Sequence, residues 1–325
     1  MGLASEGSRA FASLADEVRR VFGFSYLVPT HQGRAAERIW TKIHVRLNTF
    51  VVGNLLFPST RVHIEMNGAK VIEAADEAAY DLTSEDPFKG NLDIQKLQRA
   101  IDEKGADHVS CIYVELGDNA CGGHPVSLAN LRAIKQIAAA HHLAVFLDGC
   151  RILENSFLVQ EREAGYRERT ILEIVRETCD LADGCTLSAL KDFLVPCGGL
   201  ILIRDKAFFQ KASMQAFLDG AQLAGTAMTQ LAISLRDIFA ADNFIKSRVE
   251  QVRYLWQRLR DRVPVVSPPG GHAVFIDVKA FLPHLQSAEF PSEALGAFLY
   301  RYAGIRVTKG PPLAPSQLER GMELV

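Results

Sequence analysis

The chain has 325 residues, of which 48% are hydrophobic and 23% charged, an ordinary globular composition that excludes a disordered or low-complexity protein. A formal charge of -2 offers no basic field to a nucleic acid or an anionic membrane surface. The N-terminus lacks a basic stretch leading into an apolar one, and no apolar run approaches bilayer length, so the chain reads as cytoplasmic with a small molecule as its partner.

Short apolar runs alternate with amphipathic segments, which predicts an α/β protein with a largely parallel sheet. YLVPT is the first predicted strand, followed by a helix over 33–44 and another over 94–103. VSCIYVEL and AVFLD are strands separated by a helix over 127–142, with Pro125 just ahead of it. Helices over 152–163 and 171–181 lead to the strands GCTL and GGLILIR, then to a helix over 206–218. From Leu231 a long helical stretch runs through Arg260 into VPVVSPPGGHAVFIDV, a helix over 292–302 and GIRVT. This texture predicts a large domain over 1–232 joined by that long helix to a smaller one over 233–325. The six cysteines are scattered among apolar neighbours without a CxxC pair and read as buried free thiols; the histidines are unclustered, and no metal site is assigned.

In an open parallel sheet, ligands bind beyond the carboxyl ends of the strands. Four stretches fall there: Gln32-Gly33-Arg34, 119–123, 148–151 and 188–191. Gly33 is either a plain tight turn or, with Arg34 beside it, a helix start that exposes N–H groups to a phosphate. Asp148 is either a helix cap or partner of Arg151, or the carboxylate that keeps a pyridine nitrogen protonated. Lys191 alone reads as a surface lysine; in a semi-apolar pocket its neutral amine is favoured and condenses with an aldehyde. Ser188 can add a hydroxyl to the same phosphate. Taken in this chain order, within an α/β domain followed by a smaller one, the set describes a fold-type I pyridoxal 5'-phosphate (PLP) enzyme.

VPTHQGRAAE, TRVHIEMNGA, FKGNLDIQKLQ, GGHPVSLANLRAI, DGCRILENSFLVQERE, LADGCTLSALKDFLVPCGG, RVEQVRYL and GGHAVFIDV resemble, in order, segments of the β-eliminating lyase family, which includes tryptophanase and tyrosine phenol-lyase. The resemblance covers nearly the whole chain. It implies an aspartate aminotransferase-like fold, a homo-oligomer (dimer or tetramer) with shared active sites, and β-elimination of an aromatic amino acid to pyruvate and ammonia. It further implies Lys191 as the catalytic Schiff-base lysine, Gln32, Gly33, Arg34 and Ser188 around the phosphate, and Asp148 on the pyridine nitrogen. Asn119 and Arg151 would contact the ring oxygen, and Phe57 would stack on the ring.

Several positions depart from the family pattern. Leu190 stands where the family has a second lysine, Ser5 where it has a tyrosine acid, Leu3 near its monovalent-cation acid, and Pro58 where it has a threonine. Leu116 to Asp118 resemble a small insertion, and GIRVTKGPP offers Lys309 and no arginine that matches the phenol-binding one. The family's carboxylate-binding arginine, in a segment like RLTIPR, would follow Val325, so truncation at both ends and an incomplete small domain are expected. These departures keep two other readings open: a different fold-type I lyase or aldolase, and a non-catalytic relative that retains the fold.

Overall fold

The computed structural model describes residues 8–240, 243–308 and 314–325. Seven strands form one sheet: β1 (Tyr26–Thr30), β2 (Phe50–Gly53), β3 (Lys70–Glu73), β4 (Val109–Glu115), β5 (Val145–Asp148), β6 (Gly184–Ser188) and β7 (Gly199–Ile203). Their spatial order is β1-β7-β6-β5-β4-β2-β3, with β7 antiparallel to both neighbours and every other pair parallel. All seven residues of β4 are buried, which is why VSCIYVE reads as an unbroken apolar run rather than an alternating one. Its alternate side chains still part ways. Ile112 and Val114 enter the larger hydrophobic core on one face of the sheet, while Cys111 and Tyr113 join Trp40 and Phe146 on the other.

Among the described residues, nine α-helices up to Leu218 accompany the sheet: α1 (Arg9–Phe22), α2 (Gly33–His44), α3 (Pro58–Met66), α4 (Ile94–Lys104), α5 (Leu128–Ala140), α6 (Ile152–Arg162), α7 (Ile171–Asp180), the single turn α8 (Ala189–Asp192) and α9 (Lys206–Leu218). Local chemistry sets several starts. Asp93 caps α4, Ser127 caps α5, Asp205 caps α9, and Thr170 with Glu173 forms a reciprocal capping box on α7. The expected strands and the six helices over 33–218 are present within two residues at each end. The strands β2 and β3, four residues each, were not among them, because FVVG and KVIE are too short to show a period.

The single helix expected through Arg260 is instead two, α10 (Gly225–Ile238) and α11 (Asn243–Leu259). The reason is packing. α10 buries Met228, Leu231, Ala232 and Leu235 and lies along α1, where Arg236 pairs with Glu17 at 3.1 Å. α11 instead lies against α6, and one straight rod cannot follow both partners. Beyond α11 come α12 (Val278–Phe281), α13 (Pro291–Ala303) and α14 (Pro315–Glu319). Strand pairing among the described residues there is limited to single bridges, Val265 with Ile276 and Asp277 with Leu324. Leu324 packs with Val266 and Phe275, and Val325 with Val278 and Leu295. All six cysteines are free, five of them buried, and among the described residues no helix is long and apolar enough to cross a membrane.

Candidate active site

The polar residues singled out in the sequence gather where β1, β4, β5 and β6 end. Gln32 caps α2 without a side-chain hydrogen bond, and the helix carries no acid in its first turn, so its leading N–H groups face outward without a competing anion. Gly33 is there because nothing larger fits: a Cβ on it would lie 2.6 Å from Ser188 Cβ and 3.2 Å from Ser188 Oγ. The start of α2 and the end of β6 therefore touch, and Ser188 Oγ sits beside the helix N-terminus. The glycine pair after TLSALKDFLVPC has the same logic. Gly198 donates its N–H to the His31 carbonyl at 3.0 Å, and a Cβ on Gly199 would lie 2.4 Å from the Gln32 carbonyl. Arg34 is exposed at the rim.

Asp148 ends β5 buried, with its Oδ1 accepting the Cys150 N–H at 2.9 Å. It is neither the cap of α6, which is Arg151, nor a partner of Arg151, whose guanidinium reaches Glu154 at 3.1 Å. Lys191 lies on α8 with its Nζ 5.2 Å from the centre of the Phe57 ring. Opposing influences act on this amine. Cys150 raises the Lys191 pKa, burial lowers it and Asp148 raises it again, with a net rise. Burial holds the Cys150 thiol well above its ordinary range and hence uncharged, so the largest of these influences is absent at neutral pH and burial, which favours the neutral amine, is left opposed by Asp148.

Asn119 and Arg151 are joined through two residues that sequence reasoning left without a role. His272 Nε2 lies 2.8 Å from Asn119 Oδ1, and its Nδ1 lies 2.9 Å from Glu154 Oε2. Glu154 is fully buried and is also held by Arg151 and Arg248. Burial pushes its carboxyl up, but His272, Arg151 and Arg248 outweigh that and hold it down at about 2. Arg248 continues to Asp192 Oδ1 at 2.7 Å, and Asp192 Oδ2 accepts the Leu153 N–H at 2.7 Å, so this network ends one residue from Lys191. Two further carboxyls surround Asp148. Burial and Asp148 raise Glu37, bonded by Ser59 at 2.6 Å, to about 7, and burial with Asp118 and Asp148 raises Glu115 well above its ordinary range. Glu154 had a legible signal: residues 152–159 are buried all round α6, and a carboxylate in such a helix requires cations. His272 and Arg248 had none, being 118 and 94 residues from Glu154.

Pro58 opens α3 directly after Phe57, and Leu190 is 45% exposed. In the expected insertion, Gly117 has φ 62° and Asp118 is pinned by its N–H to the His124 carbonyl at 2.9 Å. Leu3, Ser5 and Lys309 lie outside the described residues.

Residues 4–308 match the family model described as beta-eliminating lyase. The chain belongs to that family. Among curated proteins, tyrosine phenol-lyase of Pasteurella multocida is 42% identical over 310 residues, covering 93% of this chain and 67% of the relative. The tyrosine phenol-lyase of Fusobacterium nucleatum is 40% identical over 309 residues, with the same coverage. Among solved structures, serine palmitoyltransferase from Sphingomonas wittichii superposes with a TM-score of 0.68 at 14% identity, covering 98% of this chain and 70% of that one, which shows a shared fold-type I architecture. Family membership makes the chain a lyase with PLP as cofactor. The site suits that group: an uncapped helix N-terminus with Arg34 and Ser188 for a phosphate, a buried strand-end carboxylate for a ring nitrogen, and an amine over an aromatic ring.

Proposed function

We propose that this β-eliminating lyase is a carbon-carbon lyase acting on an aromatic amino acid, a tyrosine-type substrate before tryptophan, and releasing pyruvate, ammonia and the aromatic group. The observation that carries it is the placement of Lys191 Nζ over the Phe57 ring beside the buried Asp148, with Gly33 and Ser188 in contact. Curated relatives near 40% identity that are tyrosine phenol-lyases favour the tyrosine type.

In this reading Gln32, Gly33, Arg34 and Ser188 bind the phosphate, Phe57 covers one ring face, Asn119 and Arg151 orient the ring oxygen, and Asp148 holds a proton at the ring nitrogen. PLP, when bound, supplies the electron sink for a carbanion at the substrate Cα. Lys191 Nζ carries the cofactor and then takes the proton from Cα. Leu190 and Leu194, 45% and 59% exposed on either side of this amine, fit a homo-oligomer, dimer or tetramer, that covers them.

The test is direct. Loaded with PLP, the protein is expected to show a visible absorption band, and borohydride should fix the cofactor to Lys191 in a peptide map. Pyruvate release is then followed from tyrosine, tryptophan, serine and S-alkylcysteines. A band unchanged in Lys191→Ala refutes the lysine's role, and pyruvate only from the last two substrates refutes the aromatic one.

A further inference from the structure

The two ends of α6 serve different chemistry. Its first turn faces the active site through Arg151 and Glu154, whereas Arg162, eight residues and about 12 Å further along the axis, lines a separate open cleft of ≈ 750 Å³ against α11. That is the size of a small-molecule site. The floor is apolar, formed by the buried Phe157 and Trp256 with Pro268 and Pro269. The walls hold four cations, Arg162, Arg167, Lys246 and Arg253, against one carboxylate, Glu161.

Glu161 is already taken by Arg253 at 2.6 Å, and Lys246 faces Glu250 at 3.9 Å in an exposed helical pair. Arg162 has no such partner. Its guanidinium donates to the carbonyl oxygens of Pro87 at 3.0 Å and Pro269 at 2.7 Å, and neither Arg162 nor Arg167 makes an ion pair among the described residues. Burial lowers Arg162 to about 10, with Glu161 opposing and Arg253 reinforcing. A guanidinium fixed by two carbonyls and partly desolvated, whose one neighbouring carboxylate is already paired with another cation, is unfavourable until an anion joins it.

We propose that this cleft binds a small organic dianion, its apolar body against Phe157 and Trp256 and its carboxylate or phosphate group on Arg162. The site is distinct from that of the lyase chemistry and does not depend on it.

The chain has two tryptophans, Trp40 fully buried in the core and Trp256 in the cleft, so ligand binding is readable by fluorescence. The PLP-loaded protein is titrated with phenyl phosphate, phthalate and neutral benzamide. Phenyl phosphate or phthalate is expected to quench emission at concentrations at least tenfold below benzamide, and the tighter of the two distinguishes a phosphate from a dicarboxylate ligand. Trp256→Phe should remove the signal, Arg253→Gln should weaken binding roughly tenfold, and Glu161→Gln should tighten it several-fold. Arg162→Met should abolish binding; should that variant fail to fold, the opposed changes at the more exposed Arg253 and Glu161 decide. Benzamide binding as well as the dianions, no quenching by any probe, or affinities unmoved in both Arg253→Gln and Glu161→Gln would overturn the proposal.

Discussion

His272 Nε2 sits 2.8 Å from Asn119 Oδ1, so a ring from the segment after α11 reaches the loop beyond β4 and closes a chain of contacts from Asn119 through Glu154 to Arg248. Removing the ring takes one orienting contact from Asn119 and one hydrogen-bond partner from Glu154. The loss of a hydrogen bond to a charged group is about 1.5–3 kcal/mol, which corresponds to roughly 10- to 100-fold in rate. His272→Ala is therefore expected to lower kcat by that factor while far-ultraviolet circular dichroism stays unchanged and the visible cofactor band moves. An unaltered kcat would leave the contact with no part in the reaction.

Gly33 and Ser188 make a paired prediction. Gly33→Ala puts a methyl 2.6 Å from Ser188 Cβ, which should separate the start of α2 from the end of β6 and weaken PLP binding at least tenfold in equilibrium dialysis. Adding Ser188→Gly removes the colliding atom. Part of the affinity should return in the double variant, despite the loss of the serine hydroxyl.

Arg248 is shared between Glu154 and Asp192, two carboxylates with fully buried side chains. Arg248→Met leaves both without their common cation, and breaking a buried pair by removing one partner costs about 3–5 kcal/mol. Urea unfolding should show a loss of unfolding free energy of that size at pH 7. The same variant at pH 5 should be less affected, because burial and Glu154 raise Asp192 to about 6 and its protonation relieves the unpaired charge.

Glu37 gives a pH dependence of known sign. Its folded value of about 7 lies above the unfolded 4.5, so between those values the folded protein holds a proton that the unfolded chain has lost. Its contribution is complete below 4.5 and is lost as pH rises through 7. Cofactor-free Glu37→Gln should show a flatter stability profile between pH 4.5 and 7 than the parent protein.

His44 acts in the opposite direction. Burial among Trp40, Phe146 and Phe208 holds it at about 4, against 6.5 in the unfolded chain. As pH falls from 6.5 to 4 the unfolded chain takes up a proton that the folded one refuses, at a cost of about 3 kcal/mol. In His44→Phe, thermal unfolding between pH 7 and 4 should lose that part of its acid sensitivity.

The sequence by itself determined the elements whose signals are local. β4, β5 and β7 are legible as apolar runs bounded by polar residues, and α2 and α7 by their helical period, because each property depends on neighbours within one turn or one strand. The rule that ligands sit beyond strand ends was enough to single out Gln32-Gly33-Arg34, Asn119, Asp148 and Ser188 to Lys191 before any coordinates. Tertiary structure alone decided three other things. It divided the helical stretch after Leu231, since α10 packs on α1 and α11 on α6. It set Cys150 and Asp148 beside Lys191, since the groups that act on an amine are chosen by the fold, and these two lie 41 and 43 positions away in sequence. It also tied His272, Glu154 and Arg248 into one network, because electrostatic partners are chosen by distance in space, and the spacing along the chain carries no trace of it.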